Sequence, residues 1–141
     1  MNEMEAIFGP VIHAHTRADA IEAGDLVEAK AELVRDARLH HPVALTRAAW
    51  LDCVAWTDAD TEETGAIQDE DGRLFDVLTM TRVALIGVRG GEAVATVHRI
   101  PRGERFDEDS EDGVPAVYLA VTVETDDEGR PCITVSQIGE D

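Results

Sequence analysis

His13 and His15 alternate within IFGPVIHAH, a run that reads as extended, so both rings fall on one face of a short strand. His40 and His41 stand side by side before Pro42. Imidazole pairs hold a divalent metal when a carboxylate or thiolate completes the set. No HExxH, no cysteine pair and no spaced carboxylate accompanies these four. The expectation is therefore histidines at or near the surface, with no metal and no cofactor. Cys53 offers a nucleophile, but it lies on an apolar stripe between Trp50 and Trp56, the setting of a packed thiol rather than an activated thiolate. Cys132 opens a strand far along the chain, and both cysteines read as reduced; a disulfide between them needs Cα atoms within about 7 Å. Asp69, Glu70 and Asp76 could work as paired carboxylates. Capping and solvation of a helix start explain the first two more simply, and Asp76 is expected in a structural ion pair with Arg73, Arg82 or Arg47. No residue is expected to be catalytic.

The charge is the sharper anomaly. Twelve Lys and Arg face thirty Asp and Glu, a formal net charge of -18 over 141 residues. This argues against direct binding of nucleic acid or of an anionic membrane, and any charged partner should be basic. The acids cluster at Asp58, Asp60, Glu62, Glu63, Asp69, Glu70 and Asp71, at Glu104, Asp107, Glu108, Asp109, Glu111 and Asp112, at Glu124, Asp126, Asp127 and Glu128, and at Glu140 and Asp141. DEDSED at 107–112 lacks the alternating ligands and glycine of an EF-hand loop.

Hydrophobic residues make up 44% of the chain, enough for the core of one domain spanning 1–141. No basic leader precedes an apolar stretch and no apolar run approaches the roughly 20 residues of a membrane span, so a soluble cytoplasmic protein is expected. Thr16 and Asp19 mark the start of a helix over 17–23 that Gly24 stops. A brief strand at 26–29, a helix over 30–39 ended by Pro42, and an extended 43–45 follow. Thr46 caps a helix whose buried side is Ala49, Trp50, Cys53, Val54 and Trp56. Residues 57–71 carry acids and no base, which predicts a solvated loop, with Asp71 capping a helix from 73 to about 86. Leu74, Val77, Leu78, Thr81 and Leu85 lie on one side of that helix, and Gly90-Gly91 break it. The period then changes to two in 93–100, 116–125 and 132–138, with Val117, Leu119, Val121 and Val123 on one face of the second strand. The fold class is α+β: N-terminal helices packed on a C-terminal antiparallel sheet of about three strands, with short extra N-terminal strands.

Six stretches together carry a resemblance: IFGPVIHAHTRADAIEAGDLVEA, PVALTRAAWLDCVAWT, QDEDGRLFDVLTM, HRIPRG, and the closing PCITV and GED. The chain resembles a family known as DUF6573, small uncharacterised proteins of bacterial plasmids and other mobile elements. The middle pair is the most specific part. Phe75 stands where the resemblance leads one to expect Trp, and 105–112 is acidic where a more basic or mixed segment is expected. The resemblance implies a mobile-element context and no established activity. A shorter likeness, His13-Ala14-His15-Thr16 followed by Ile21 and Gly24, is similar to the strand-then-helix opening of ADP-ribosyltransferase-like enzymes, without a later glutamate motif.

The leading expectation is a non-enzymatic mobile-element accessory protein whose acids engage a basic protein surface. It would act as a nucleic-acid mimic against a host nuclease or CRISPR complex. The competing expectations are a small enzyme acting on a nucleotide or protein, with His13, His15, Thr16 and Asp76 near one pocket, and a structural or regulatory module that homodimerises through a sheet edge.

Overall fold

The computed structural model describes residues 16–140. His13, His15, the extended segment expected at 7–15, and Asp141 lie outside the described residues. Helix α1, Arg17–Ala23, begins at a reciprocal capping box in which the Thr16 hydroxyl accepts from the Asp19 amide at 3.1 Å and the Asp19 carboxylate accepts from the Thr16 amide. It ends where Gly24 turns left-handed. Strand β1, Leu26–Glu28, and helix α2, Ala31–Asp36, precede the fully apolar start of β2, Val43–Thr46. Helix α3, Arg47–Cys53, is capped by the Thr46 hydroxyl. Because α3 stops at Cys53, Trp56 does not belong to its apolar stripe; it lies in the turn that follows, still buried.

The expectation of a loop over 57–71 is corrected. Asp58–Thr64 forms helix α4, because Thr57 and Asp60 make a second capping box and Asp58 and Asp60 place negative charge at its amino end. Helix α5, Glu70–Leu85, is capped by Asp69 rather than Asp71, with the Asp69 carboxylate accepting from the Gly72 amide at 2.6 Å. Asp71 instead meets Lys30 at 2.9 Å. The helix ends at Leu85, before Gly90, and the chain turns at Gly87 with φ 78°.

Strands β3, Glu92–His98, β4, Ala116–Thr125, and β5, Pro131–Gln137, form the antiparallel meander the period-two pattern predicts. Three antiparallel strands understate the sheet. Among the described residues it has five, in the order β1-β2-β5-β4-β3, and β2 runs parallel to β5 with Val43 opposite Ile133. The two short early strands thus extend the same mixed sheet. β1 joins through β2, and β2 is placed by a partner strand about ninety residues away in sequence, which no local pattern encodes.

The register puts Ala95, Leu119, Val121, Val135, Ile133, Val43 and Leu45 on one face, where α5 packs Leu74, Val77 and Leu78 and α3 packs Ala49 and Cys53. Each of these side chains is at most 1% exposed, worth about 1.5–3 kcal/mol apiece for the larger aliphatics. Two hydroxyls inside helices, Thr64 and Thr81, are satisfied by donating to the carbonyls of Asp60 and Val77, so their full burial leaves no unmet donor.

Candidate functional site

At the amino end of α5 the core face carries a cation. Arg73 is only 4% exposed. Its Nε donates to the Val54 carbonyl at 3.2 Å, one terminal nitrogen to the Ile100 carbonyl at 3.0 Å, and the other to the Asp52 carbonyl at 3.4 Å. Its guanidinium carbon sits 4.7 Å from the centre of the Trp56 ring. Asp52 and Val54 are at the carboxyl end of α3, where unpaired carbonyls gather partial negative charge, so the helix end substitutes for a carboxylate partner. Burial pushes the Arg73 pKa down, and the nearby Asp52 and Cys53 oppose that. A guanidinium remains charged through such a shift.

Two further arginines complete this knot. Arg99 reaches one Asp52 oxygen through two nitrogens, at 2.9 and 3.1 Å, while Gln137 donates to the other at 3.3 Å. Arg102 donates to the Leu51 carbonyl at 2.9 Å and pairs with Asp60 at 3.5 Å. Asp60 is therefore not a solvated loop acid: it is buried. Burial alone would raise its carboxyl pKa, but the Thr57 amide and hydroxyl and the Arg102 guanidinium outweigh it and hold the pKa below 3.8. Trp56 is anchored from both sides, its amide donating to Glu70 at 3.0 Å and its indole to the Thr61 hydroxyl at 2.9 Å. The Cys53 thiol is pushed up to about 12 by burial and then by the Asp52 charge, which removes it as a nucleophile near neutral pH. Cys53 and Cys132 are both free and buried.

The knot brings two acidic segments together. The Phe106 amide donates to the Thr64 carbonyl at 2.9 Å, joining the end of α4 to the loop after β3. A groove of about 760 Å³ runs between residues 65–68 and 105–108. Asp107 and Glu108 line it together with Arg105, and Asp58, Glu62, Glu63, Asp69, Glu70, Asp109, Glu111 and Asp112 are exposed as well. Some have local duties as well. Asp69 caps α5, Glu70 holds Trp56, and Asp107 accepts the Asp109 amide at 2.9 Å.

The hairpin acids stand apart. They follow the far end of β4, a strand of ten residues, so about 30 Å of sheet separates them from the 101–115 loop. Asp126 accepts the Glu128 and Arg130 amides and shapes the turn, while Asp127 accepts the Arg17 and Ala18 amides at 3.1 Å and caps α1. Glu128 pairs with Arg130 at 3.3 Å. Glu140 accepts from the Thr46 hydroxyl at 2.9 Å. Of the fourteen acids singled out from the sequence, eleven thus lie in the two segments joined at Thr64 and Phe106, and the three of the hairpin lie apart from them.

The expected ion pair at Asp76 is corrected: Asp76 is exposed and pairs with none of Arg73, Arg82 or Arg47. Arg73 is turned inward to carbonyls instead, and partial burial raises the Asp76 pKa, with Arg73 opposing. Thr16 serves as a helix cap, and among the described residues no group of three His, Cys, Asp or Glu could hold a metal ion. Sequence reasoning passed over Arg73, Arg99 and Arg102 as site residues. Their signal was present, since they sit inside GRL and HRIPRG, and Asp52, Cys53 and Trp56 sit inside LDCVAWT.

Among curated proteins and solved structures nothing matches the chain. A match to a family does exist, and it spans the three segments that meet at Arg73. Described as a family of unknown function, DUF6573, it covers residues 1–141, and the chain belongs to it.

Proposed function

We propose that this protein is a non-enzymatic accessory factor of a mobile element, acting in the cytoplasm by binding a basic protein surface as a nucleic acid would. The observation that supports the reading is the junction of α4 with the 101–115 loop, where the Phe106 amide meets the Thr64 carbonyl and Asp107 and Glu108 line the adjoining groove, in two segments that together carry ten exposed carboxylates. Rows of fixed negative charge attract the clefts that nucleases and CRISPR complexes present to a phosphate backbone, and the attraction weakens as salt shortens its range. The arginine knot has a place in this reading: Arg102 bridges Leu51 and Asp60, so the charged segments are held on a rigid base rather than on a free loop.

Binding of the purified protein to purified restriction and CRISPR complexes tests the proposal. At low salt at least one complex is expected to be retained, released at high salt, and lost when Glu62, Glu63, Glu108 and Asp109 become Gln or Asn. Absence of any salt-sensitive partner at low salt counts against the reading, as does retention that ignores the four substitutions.

A further inference from the structure

A basic groove opens at the opposite end of α5. Twelve residues separate Arg73 from Leu85, about 18 Å along the helix axis. There the turn after α2 and the turn after α5 face each other across a groove of about 850 Å³. Arg35, Arg38, His40, His41, Arg82 and Arg89 line it, and among the described residues no carboxylate does. In a chain of net charge -18 with twelve Lys and Arg, this concentrates four of the twelve in one place. Five others, Arg17, Lys30, Arg99, Arg102 and Arg130, take part in ion pairs; the four groove arginines form none among the described residues.

The bland account is helix-end compensation. Arg35 and Arg82 lie in the last turns of their helices, where cations offset the partial negative charge of the carbonyls. Arg38 and Arg89 lie beyond the helices and are left over. Arg38 is the more telling, because its φ of 65° makes it the sole non-glycine residue in the left-handed region among those described. The Leu39 amide bonds back to the Val34 carbonyl at 3.1 Å and the Arg38 amide to Arg35 at 2.9 Å, the turn that ordinarily ends on glycine. A long cationic side chain occupies a position where the backbone favours none, and the same turn directs it to the groove.

We propose that this groove binds a small phosphorylated ligand with a flat ring, of the nucleotide class. Guanidinium forks match phosphate oxygens two at a time, and Leu85, Ile86 and Val123 among the lining residues supply apolar contact for a ring. The volume is that of a small-molecule site. A small ligand is favoured over a long anionic polymer or a second copy of this chain. Either of those would extend over a chain of net charge -18, whereas a compact ligand stays within the arginines' own short range. The inference rests on the far end of the molecule and does not depend on the acidic face.

Calorimetric titration of the full chain with ATP, inorganic phosphate and adenosine, each tested also on Arg38→Gly and Arg89→Gln, decides it. ATP is expected to bind more tightly than phosphate, and phosphate more tightly than adenosine. Each substitution should weaken ATP roughly tenfold or more, the loss of one charged hydrogen-bonding fork. The melting temperature of Arg38→Gly should hold or rise, since glycine relaxes the left-handed residue, so loss of binding there cannot be ascribed to unfolding. Absence of binding by ATP and phosphate overturns the proposal, as does ATP binding that both substitutions leave unchanged. Tighter binding of a single-stranded oligonucleotide or a polyglutamate peptide than of ATP overturns it in favour of a macromolecular ligand.

Discussion

Arg73 lies over Trp56 at 4.7 Å while its nitrogens donate to carbonyls of three separate residues, a buried cation neutralised by backbone dipoles and an aromatic face rather than by a carboxylate. Because those carbonyls belong to the end of α3 and to the chain leaving β3, one side chain welds the helices to the sheet. Replacing it by Met keeps much of the volume and leaves the carbonyls of Asp52, Val54 and Ile100 without this donor. Arg73→Met should lower the unfolding free energy by about 3 kcal/mol, with Arg73→Lys less costly because the charge is kept and the fork lost. Urea unfolding measures this, and an unchanged midpoint in Arg73→Met would show that the knot contributes little.

The box at the start of α4 joins helix formation to charge placement. Thr57→Ala removes the hydroxyl that accepts the Asp60 amide and should cost about 1 kcal/mol. Asp60 adds a pH dependence whose sign follows from its lowered pKa. The folded state favours the ionised form, so the contribution is complete above the ordinary value of 3.8 and is lost as pH falls through the lower folded value. Asp60→Asn should flatten the acid limb of stability against pH in that window. A limb of unchanged slope would assign acid sensitivity to other carboxylates.

Asp76 should behave with the opposite sign. Its pKa is raised above 3.8 in the fold, chiefly by burial, so the ionised form is disfavoured at neutral pH, and the penalty disappears once both states are protonated. Asp76→Asn is expected to stabilise the protein at neutral pH, with the gain vanishing below the ordinary carboxylate value. Denaturant titrations at both pH values check this, and destabilisation at neutral pH would mean that the carboxylate has an attractive partner.

With its thiol pushed up to about 12, Cys53 should resist iodoacetamide in the native protein at about pH 8 and react once the chain is unfolded. Mass spectrometry of adducts with and without denaturant reads the difference. Rapid native alkylation of Cys53 would contradict the burial and reopen a role for it as a nucleophile.

Sequence alone determined what is local in origin. The cap at Thr16, the cap at Thr46, the period of α5 and the alternation of β4 are properties of residues within one turn or one strand of each other, and each appears in the fold. Helix α4 was legible too, in Thr57 and Asp60, but its acids suggested solvated loop, because composition does not distinguish a carboxylate facing water from one accepting an amide. Tertiary structure decided the rest. The parallel pairing of β2 with β5 joins segments far apart in sequence, and the ion pair of Asp60 comes from Arg102 in the loop after β3. Charge counts could not sort the acids or the arginines, since an ion's role depends on its distance to partners. That geometry separated a groove with Asp107 and Glu108 in its lining from a groove lined by four arginines that form no ion pair among the described residues, which a net charge of -18 had concealed.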